Sequence, residues 1–193
     1  MNLNVNEWEE FQVGKLFNCS LSAGDLKIDD CEKGDIPLIS SGQTNNGLVG
    51  YIDSKGDGKA KIFSKGKITV DLFCNAFYQD KDFYSVSHGR INILEPLFDW
   101  DAANLLFIST IINKEQFKYS YGRAVYSSEI SRMVIKLPIC KDKDGQPIID
   151  TICKYSEKGY IPDFKWMTNY IKTLKYQPLT TSNGGVKITF SWC

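Results

Sequence analysis

The stretch Ile36–Ile52, IPLISSGQTNNGLVGYI, contains two apolar segments with a polar loop between them. The segments IPLIS and LVGYI have the composition of β-strands, whereas every residue from Ser41 to Gly47 is small or polar. A tight hairpin needs only about two turn residues, so this loop is longer than the connection requires. The stretch therefore predicts two neighbouring strands whose loop is either a solvated connection or a surface that hydrogen-bonds to another molecule.

The composition is that of a folded protein of one domain with at most a short appendage. The chain has 193 residues, of which 42% are hydrophobic and 13% aromatic. This is enough to bury a core, and it argues against disorder. The formal net charge is zero. The overall charge therefore neither favours nor excludes nucleic acid as a partner, because a local basic patch is sufficient to bind phosphate.

Patterns typical of a zinc site, a secretory signal or a membrane span are missing from the sequence. The six cysteines include no CxxC pair. The first residues, MNLNVNEWEE, lack the basic and apolar regions of a cleaved signal peptide. No apolar run approaches the ~18 residues of a transmembrane helix. We therefore expect a cytoplasmic protein with reduced thiols and no contact with a membrane.

Short strand-like segments fill the first two-thirds of the chain. They are rich in β-branched and aromatic residues and are separated by Gly, Asn, Asp and Lys. These segments are IPLIS, LVGYI, KITV, AFYQ, FYSV and RINIL. Two more strands are predicted, one at Met133–Pro138 and one in VKITFSW, and a turn rich in Tyr and Ser precedes the first of these two.

Two segments have the periodicity of helices. The first runs from Asp101 to about Asn113 and has a wide apolar face, which predicts a well-buried helix. The second runs from Asp163 to about Tyr176, carries a single apolar stripe and is stopped by Pro178. Both aspartates are suitable N-caps. The predicted fold class is α+β, with a twisted, mostly antiparallel β body, a buried helix and a C-terminal helix.

Catalytic patterns are weak in this sequence. The single histidine, His88, would have to serve any Ser–His or Cys–His pair, and no GxSxG pattern supplies a nucleophile. The two DKD turns at 80–82 and 142–144 have no histidine near them for a metal site. A small hydrolase that uses His88 is one alternative, but a loop position for His88 is the simpler interpretation.

Three polar segments are suited to contacts with DNA. The segment KGDGKAKIFSKGK, residues 55–67, lacks the spacing of a P-loop and is either a surface loop or an edge that contacts phosphates. Asn and Gln side chains of the loop 41–47 can pair bidentately with adenine. Arg123, in SYGRAVYSS, can fork onto guanine, and Arg90 lies two residues after His88.

The order of these segments along the chain resembles the order found in a known protein family. WEEFQVGKLF is followed by GDIPLISSGQTNNGLVGYI, KITV, AFYQDKDFYSV, LLFISTIINKEQFKYSYGRAVYSSEISRMVIKLP, GQPIID and IPDFKWMTNYIKTL. This order is similar to that of the target recognition domain in specificity subunits of type I restriction–modification systems, and in related restriction–methylation proteins with fused recognition domains. The similarity extends over about residues 7–176. One departure is DLFCNAFYQ, which lacks the glycines often found before this strand in the family.

The resemblance implies a non-catalytic DNA reader with the fold of DNA methylase specificity domains. In this family one domain recognises half of a split DNA target, a methyltransferase subunit uses S-adenosylmethionine to methylate adenine, and a restriction subunit cleaves. The chain itself would hold no cofactor, and its partners would be double-stranded DNA, the methyltransferase subunit and the restriction subunit. Residues 1–160 would form the recognition domain, 161–178 a short scaffold helix and 179–193 a tail with an extra strand.

The assembly and the function each leave alternatives open. Familiar specificity subunits carry two recognition domains, so this chain is either a half-size subunit that forms a homodimer, a partner of another recognition chain, or a domain of a larger protein. A second function is a protein-interaction or anti-restriction module on the same fold, without DNA reading of its own. Trp166 and Tyr170, on the exposed flanks of the second helix, would then bind the partner, although packing is the simpler interpretation of both.

The expected DNA contacts divide into two kinds. The lysines would position the duplex through its phosphates, whereas the amides and Arg123 would specify the bases. The candidate DNA-binding residues are Ser41, Gln43, Thr44, Asn45, Asn46, Lys59, Lys61, Lys65, His88, Arg90, Tyr121 and Arg123.

Overall fold

The structure is a computed structural model that describes residues 3–22, 26, 28–53, 60–86 and 90–174, and the backbone of Pro178–Thr180 and Val186–Ile188. The candidates Lys59 and His88 lie outside the described residues. The strands are β1 (Glu9–Gln12), β2 (Phe17–Leu21), β3 (Lys33–Ile39), β4 (Leu48–Ile52), β5 (Lys67–Val70), β6 (Ala76–Gln79), β7 (Tyr84–Ser85), β8 (Asn92–Pro96), β9 (Val134–Leu137), β10 (Pro178–Thr180) and β11 (Val186–Ile188). The helices are α1 (Val13–Leu16), α2 (Ala102–Asn113), α3 (Ser127–Arg132) and α4 (Phe164–Thr173).

The centre of the fold is an antiparallel sheet in the order β2-β8-β5-β6. Ile68 lies opposite Leu94, and Thr69 lies opposite Ile93. Since successive side chains of a strand point to opposite faces, Ile68 and Leu94 enter the main core, whereas Ile93 belongs to a second core on the other face. Both faces of this sheet are therefore covered.

A smaller sheet, in the order β4-β3-β7, packs against the second face. β3 and β4 form the predicted antiparallel pair, and β7 joins β3 in parallel. Ile39 of β3 shares the second core with Ile93 of β8, and the rings of Phe63 and Phe83 stack in it with centroids 5.5 Å apart. This packing holds the loop 41–47 over the central sheet.

Both predicted helices are confirmed, and each begins at the predicted cap. The Asp101 carboxyl accepts a hydrogen bond from the N–H of Asn104 (2.9 Å), and the Asn104 side chain accepts one from the N–H of Asp101 (3.2 Å). This reciprocal pair is a capping box. Asp163 accepts a hydrogen bond of 2.8 Å from the N–H of Trp166 and so caps α4.

The helix α4 is shorter than predicted and packs against α2. It ends at Thr173 because Leu174 has extended backbone angles, and the predicted end at Tyr176 lies outside the described residues. Thr168 of α4 donates a hydrogen bond of 2.7 Å to the Asp101 carboxyl at the start of α2. The predicted buried helix and the C-terminal helix are thus joined in one core.

An aromatic cluster between α4 and α2 contains both residues of the proposed protein-binding surface. Trp166 and Tyr170 stack with centroids 5.1 Å apart, and both rings meet Phe107 of α2 at 5.9 Å. Tyr170 is 9% exposed and Trp166 is half-buried. The expectation that Tyr170 lies on an exposed flank is therefore wrong, because the single apolar stripe of α4 is widened by these aromatic rings.

Several elements were not predicted. β1 pairs with β9 far along the chain, with Phe11 opposite Ile135. The segment Ser127–Arg132, predicted as part of a turn, is the helix α3, whose first turn is capped by Glu129. The predicted strand near the end of the sequence is present as β11, and it pairs with an unpredicted strand, β10. Within the described ranges, no helix is long and apolar enough to cross a membrane.

Candidate nucleic-acid interface

The loop 41–47 has a backbone conformation set by its own sequence. Asn45, Asn46 and Gly47 have φ angles of +53°, +54° and +75°. Gly adopts this left-handed region freely, and Asn tolerates it better than most other residues. An added Cβ at Gly47 would lie 2.7 Å from the carbonyl oxygen of Ser40. The run Asn-Asn-Gly therefore has a structural role in addition to its hydrogen-bonding groups.

The polar side chains of this loop are available to a partner. Most of the candidate side chains in the loop are exposed, and one is half-buried. The exposed ones are Gln43, Thr44, Asn45 and Asn46, and the half-buried one is Ser41. The loop thus presents amide and hydroxyl groups, which is the chemistry that pairs with base edges.

Two buried side chains of the central sheet hold the loop in place. The Asp71 carboxyl, immediately after β5, accepts a hydrogen bond of 3.2 Å from the N–H of Gly42. The Gln79 amide, at the end of β6, donates one of 3.2 Å to the carbonyl oxygen of Asn46. Both hydrogen bonds are made to the loop backbone. These two bonds therefore fix the loop near both ends through its backbone, and the Asn45 amide adds one of 3.5 Å to the carbonyl oxygen of Leu48.

The Asp71 carboxyl also organises the next loop, residues 71–75. It is 3% exposed. Its Oδ1 atom accepts hydrogen bonds of 2.9 Å from the N–H groups of Phe73 and Asn75, and its Oδ2 atom accepts one of 2.8 Å from the Asn75 side chain. With the N–H of Gly42, four hydrogen-bond donors surround the buried Asp71 carboxyl. This arrangement satisfies a polar group that would otherwise be costly to bury.

The loop 71–75 is fastened to the end of α2. The Asn75 side-chain oxygen accepts a hydrogen bond of 2.7 Å from Gln116. The Asn113 carboxamide accepts one from the N–H of Ala76 (2.8 Å) and donates one to the carbonyl oxygen of the same residue (2.7 Å). The chain that follows α2 therefore begins at a fixed place beside this loop.

A tight turn follows, with Tyr121 at its tip. The N–H of Ser120 donates to the carbonyl oxygen of Arg123 (3.2 Å), and the N–H of Arg123 donates to the carbonyl oxygen of Ser120 (2.9 Å). Tyr121 is 95% exposed, and its ring centroid lies 6.0 Å from that of Phe73. The N–H of Val125 donates to the carbonyl oxygen of Leu72 (3.0 Å). The turn is thus seated against the loop 71–75.

Arg90 joins the same surface through Tyr126. Its guanidinium lies 5.5 Å from the centroid of the Tyr126 ring, a cation–π arrangement. The side-chain amide of the buried Asn92, two residues after Arg90, donates hydrogen bonds to the carbonyl oxygens of Val70 (3.1 Å) and Val125 (3.2 Å). Asn92 thereby connects the central strand β5 to the segment that carries Arg123.

The two described lysine candidates lie on the segment that leads into β5. Lys61 is exposed, and its ammonium lies 5.5 Å from the centroid of the Phe63 ring. Lys65 is also exposed, and its N–H donates a hydrogen bond of 2.9 Å to Asp82. The structure therefore places Arg90, Tyr121 and Arg123 around the loop that Asp71 connects to Gly42, whereas the lysines contact Phe63 and Asp82.

Sequence reasoning missed the residues that connect the two loops. Asp71, Phe73 and Asn75 lie in DLFCN, between KITV and AFYQ. An aspartate directly after a buried strand, followed by an asparagine four residues later, is typical of a turn closed by side-chain hydrogen bonds. That pattern predicts a local turn, but it does not indicate that the same carboxyl reaches Gly42.

The described residues offer little for catalysis. No group of three or more His, Cys, Asp or Glu side chains among them could hold a metal ion. Burial raises the pKa of the Cys74 thiol to about 12, and the carboxylates of Glu115 and Asp71 add to this effect. Burial also raises the pKa of Cys19 to about 11. Thiols with such pKa values are poor nucleophiles at neutral pH.

Polar loops fixed on a sheet are suited to recognition, because loops on a rigid scaffold often carry binding residues. Residues 5–159 match the family of the Type I restriction modification DNA specificity domain, and the chain belongs to this family. It is a DNA specificity domain of restriction–modification systems, in which the specificity component is not the catalytic one. The resemblance stated from the sequence is thus confirmed.

The relatives are longer than this chain. The specificity subunit S.BcgI of a Type II restriction enzyme from Heyndrickxia coagulans is 27% identical over 175 residues, which are 89% of this chain and 45% of that protein. The HsdS subunit from Thermoanaerobacter tengcongensis has a similar structure, with a TM-score of 0.54 and 9% identity over 89% of this chain and 38% of its own. The chain therefore spans less than half the length of these proteins.

A second solved structure supports the same fold. The S subunit of a Type-I restriction-modification system from M. genitalium has a TM-score of 0.51 and 16% identity, over 68% of this chain and 34% of its own. At such low identity the similarity concerns the fold alone. The predicted α+β class with mostly antiparallel sheets is confirmed by these structures.

Proposed function

We propose that this chain reads one half of a split DNA target and directs an adenine methyltransferase to it. The supporting observation is that one buried carboxyl, Asp71, anchors the amide-bearing loop 41–47 and also the loop on which the turn with Tyr121 and Arg123 is seated. Groups that read base edges must keep fixed positions relative to one another. A shared anchor in the rigid sheet supplies that condition.

The candidate residues have two roles in this proposal. The side chains of the loop 41–47 and Arg123 contact base edges, because amides and guanidinium groups match adenine and guanine. The lysines 59, 61 and 65, together with His88 and Arg90, contact the phosphates and set the register of the duplex. Since the net charge of the chain is zero, binding to random DNA is weak and the complex depends on its partner for affinity.

The proposed partners are those expected for a member of this family. A methyltransferase subunit binds S-adenosylmethionine and methylates adenine, and a restriction subunit cleaves, so the chain needs no cofactor of its own. Residues 1–160 act as the recognition domain, 161–178 as the scaffold helix and 179–193 as the tail. Because the chain spans less than half of its relatives, the second half of a split target is read by another recognition domain, either in a homodimer or on another chain.

The test is to co-express the chain with the methyltransferase subunit of its system and to locate methylated adenines in a random DNA library by single-molecule sequencing. We expect a defined motif, and a palindromic motif would indicate a homodimer. Exchange of Gln43 and Thr44 for alanine should change or abolish the motif. The matched control is the same change at Lys143 and Asp144, which lie in an exposed turn. A stable complex that methylates without any motif would contradict the proposal.

The alternative of a protein-interaction or anti-restriction module has less support. Its proposed contacts, Trp166 and Tyr170, stack on each other in the cluster with Phe107, and Tyr170 is buried. A complex with the methyltransferase subunit that forms normally, binds no DNA and is lost in Trp166→Ala would favour this alternative over DNA recognition.

A further inference from the structure

Two aromatic side chains stand exposed where the turn with Tyr121 meets the loop 71–75. Tyr121 is 95% exposed and Phe73 is 36% exposed, and their ring centroids lie 6.0 Å apart at an angle of 38°. Exposed aromatic area that is not covered by the protein itself is unfavourable in water. Two such rings in contact with each other, beside the loops described above, form an exposed apolar patch of the kind that often marks an interaction site.

Both rings are carried by backbone that is already fixed. The N–H of Phe73 donates to the buried Asp71 carboxyl at 2.9 Å. Tyr121 lies at the tip of the turn closed by Ser120 and Arg123, which exchange two hydrogen bonds. The backbone that carries the two rings therefore needs little further ordering on binding, which lowers the entropic cost of inserting them into a partner.

The surrounding charge indicates an anionic partner. The segment 117–126, FKYSYGRAVY, carries the exposed Arg123 and also Lys118, which pairs with Glu115 just before the segment. Arg90 lies over the ring of Tyr126 in the same segment. An exposed aromatic pair beside guanidinium groups and a loop of amides has the chemistry of a surface that meets stacked bases and their phosphates.

We propose that Phe73 and Tyr121 form an aromatic wedge that enters the DNA between two stacked base pairs, with Tyr121 leading and Phe73 supporting it. This inference rests on the proposed function. Wedges of this kind partly unstack one base step and kink the duplex. Flexible pyrimidine–purine steps are the easiest to open. The pair would thus select sequence through the deformability of one step, in addition to base-edge contacts.

The experiment uses the complex with the methyltransferase subunit and a duplex that carries the motif found by methylation mapping. 2-Aminopurine is placed in turn at positions other than the methylated adenine and its neighbours, because the methyltransferase itself unstacks that adenine. We expect its fluorescence to rise at one step only. Tyr121→Ala should abolish the rise and weaken binding by about tenfold or more, as expected for loss of a stacking contact, and Phe73→Ala should reduce both.

Two further variants make the result specific to the wedge. Tyr121→Phe should retain the fluorescence rise, because it keeps the ring and removes only the hydroxyl group. Phe117→Ala removes another aromatic side chain of the same segment, which is 81% exposed, and should leave the rise unchanged. Equal losses in Phe117→Ala and Tyr121→Ala, or loss of the rise in Tyr121→Phe, would overturn the wedge. A motif without any fluorescence rise would also overturn it and leave the proposed function intact, whereas the absence of any motif would overturn both.

Discussion

The Oδ2 atom of Asp71 and the backbone nitrogen of Gly42 lie 3.2 Å apart and form a hydrogen bond. Through this contact the turn after β5 holds the loop between β3 and β4. The same carboxyl binds the N–H groups of Phe73 and Asn75. The geometry of the candidate interface therefore depends on a side chain that would not itself touch DNA.

Replacement of Asp71 should affect stability and specificity together. Asp71→Ala leaves buried N–H donors without an acceptor, so we expect the free energy of unfolding to fall by at least about 1–3 kcal/mol. Urea unfolding measures this change. Asp71→Asn keeps the size of the side chain and one acceptor oxygen. It should fold, and the methylation motif of its complex should become more degenerate.

The matched control for Asp71 is Asp82→Ala. Asp82 also accepts a backbone N–H bond, from Lys65, but it lies exposed. Asp82→Ala should lower the free energy of unfolding by less than about 1 kcal/mol, because water replaces the carboxylate as acceptor for the exposed N–H group. Similar destabilisation by the two alanine variants would contradict the role given to Asp71.

Arg123→Ala should cost about 1–3 kcal/mol of binding free energy on the cognate site and relax one base position, as expected for loss of a bidentate contact with guanine. Competition binding with cognate and random duplexes measures the difference. Arg132→Ala is the control, because Arg132 is exposed in α3 and pairs with Glu129 at 3.1 Å. If Arg123→Ala lost the same binding free energy on cognate and random DNA, Arg123 would not be a residue that reads bases.

Lys61→Ala should weaken binding to all sequences alike. An exposed lysine that contacts a phosphate contributes through the release of counterions, so the slope of log K against log[salt] should fall by about one. Lys165→Ala, on the exposed side of α4, should leave the slope unchanged. A change of motif in Lys61→Ala would show that this lysine reads bases instead.

The buried thiol of Cys74 predicts a loss of stability at alkaline pH. Burial raises its pKa from 9.0 to about 12, with the carboxylates of Glu115 and Asp71 adding to the effect and Lys118 opposing it. Above pH ~9 the unfolded chain releases this proton while the folded chain keeps it, so the free energy of unfolding falls as pH rises. The expected contribution is about 1.4 kcal/mol per pH unit between about pH 9 and pH 12.

Urea unfolding between pH 8 and about pH 10.5 tests this dependence. Cys74→Ser should show a flatter decline than the unmodified chain, whatever its stability at neutral pH. The same substitution at the half-buried Cys153 controls for the removal of a thiol. An unchanged alkaline slope in Cys74→Ser would contradict the prediction.

The sequence predicted the parts of the fold that depend on neighbouring residues. Asp101 and Asp163 precede periodic apolar residues, and both cap helices as expected. The strand β1 was missed because its partner β9 lies far along the chain and its short segment EEFQ has no clear alternation. The helix α3 was missed because SSEISR is mostly polar and buries only Ile130.

The candidate interface was likewise predicted only where it depends on the composition of a single segment. The composition of the loop 41–47 indicated a binding surface, and Arg90, Tyr121 and Arg123 are exposed beside the loop 71–75. The contact from Asp71 to Gly42 could not be predicted, because it joins two turns from different sheets and leaves no local pattern. The roles of the individual candidates in binding DNA stay predictions.

The run Asn45-Asn46-Gly47 and the two backbone tethers have an evolutionary consequence. The shape of the loop depends on left-handed residues at one end and on Asp71 and Gln79 outside it, whereas Gln43 and Thr44 only project from it. Mutations at these two positions can therefore accumulate without a penalty in folding. Under the proposed function, exchanges at these two positions would change the DNA target and leave the scaffold unaltered.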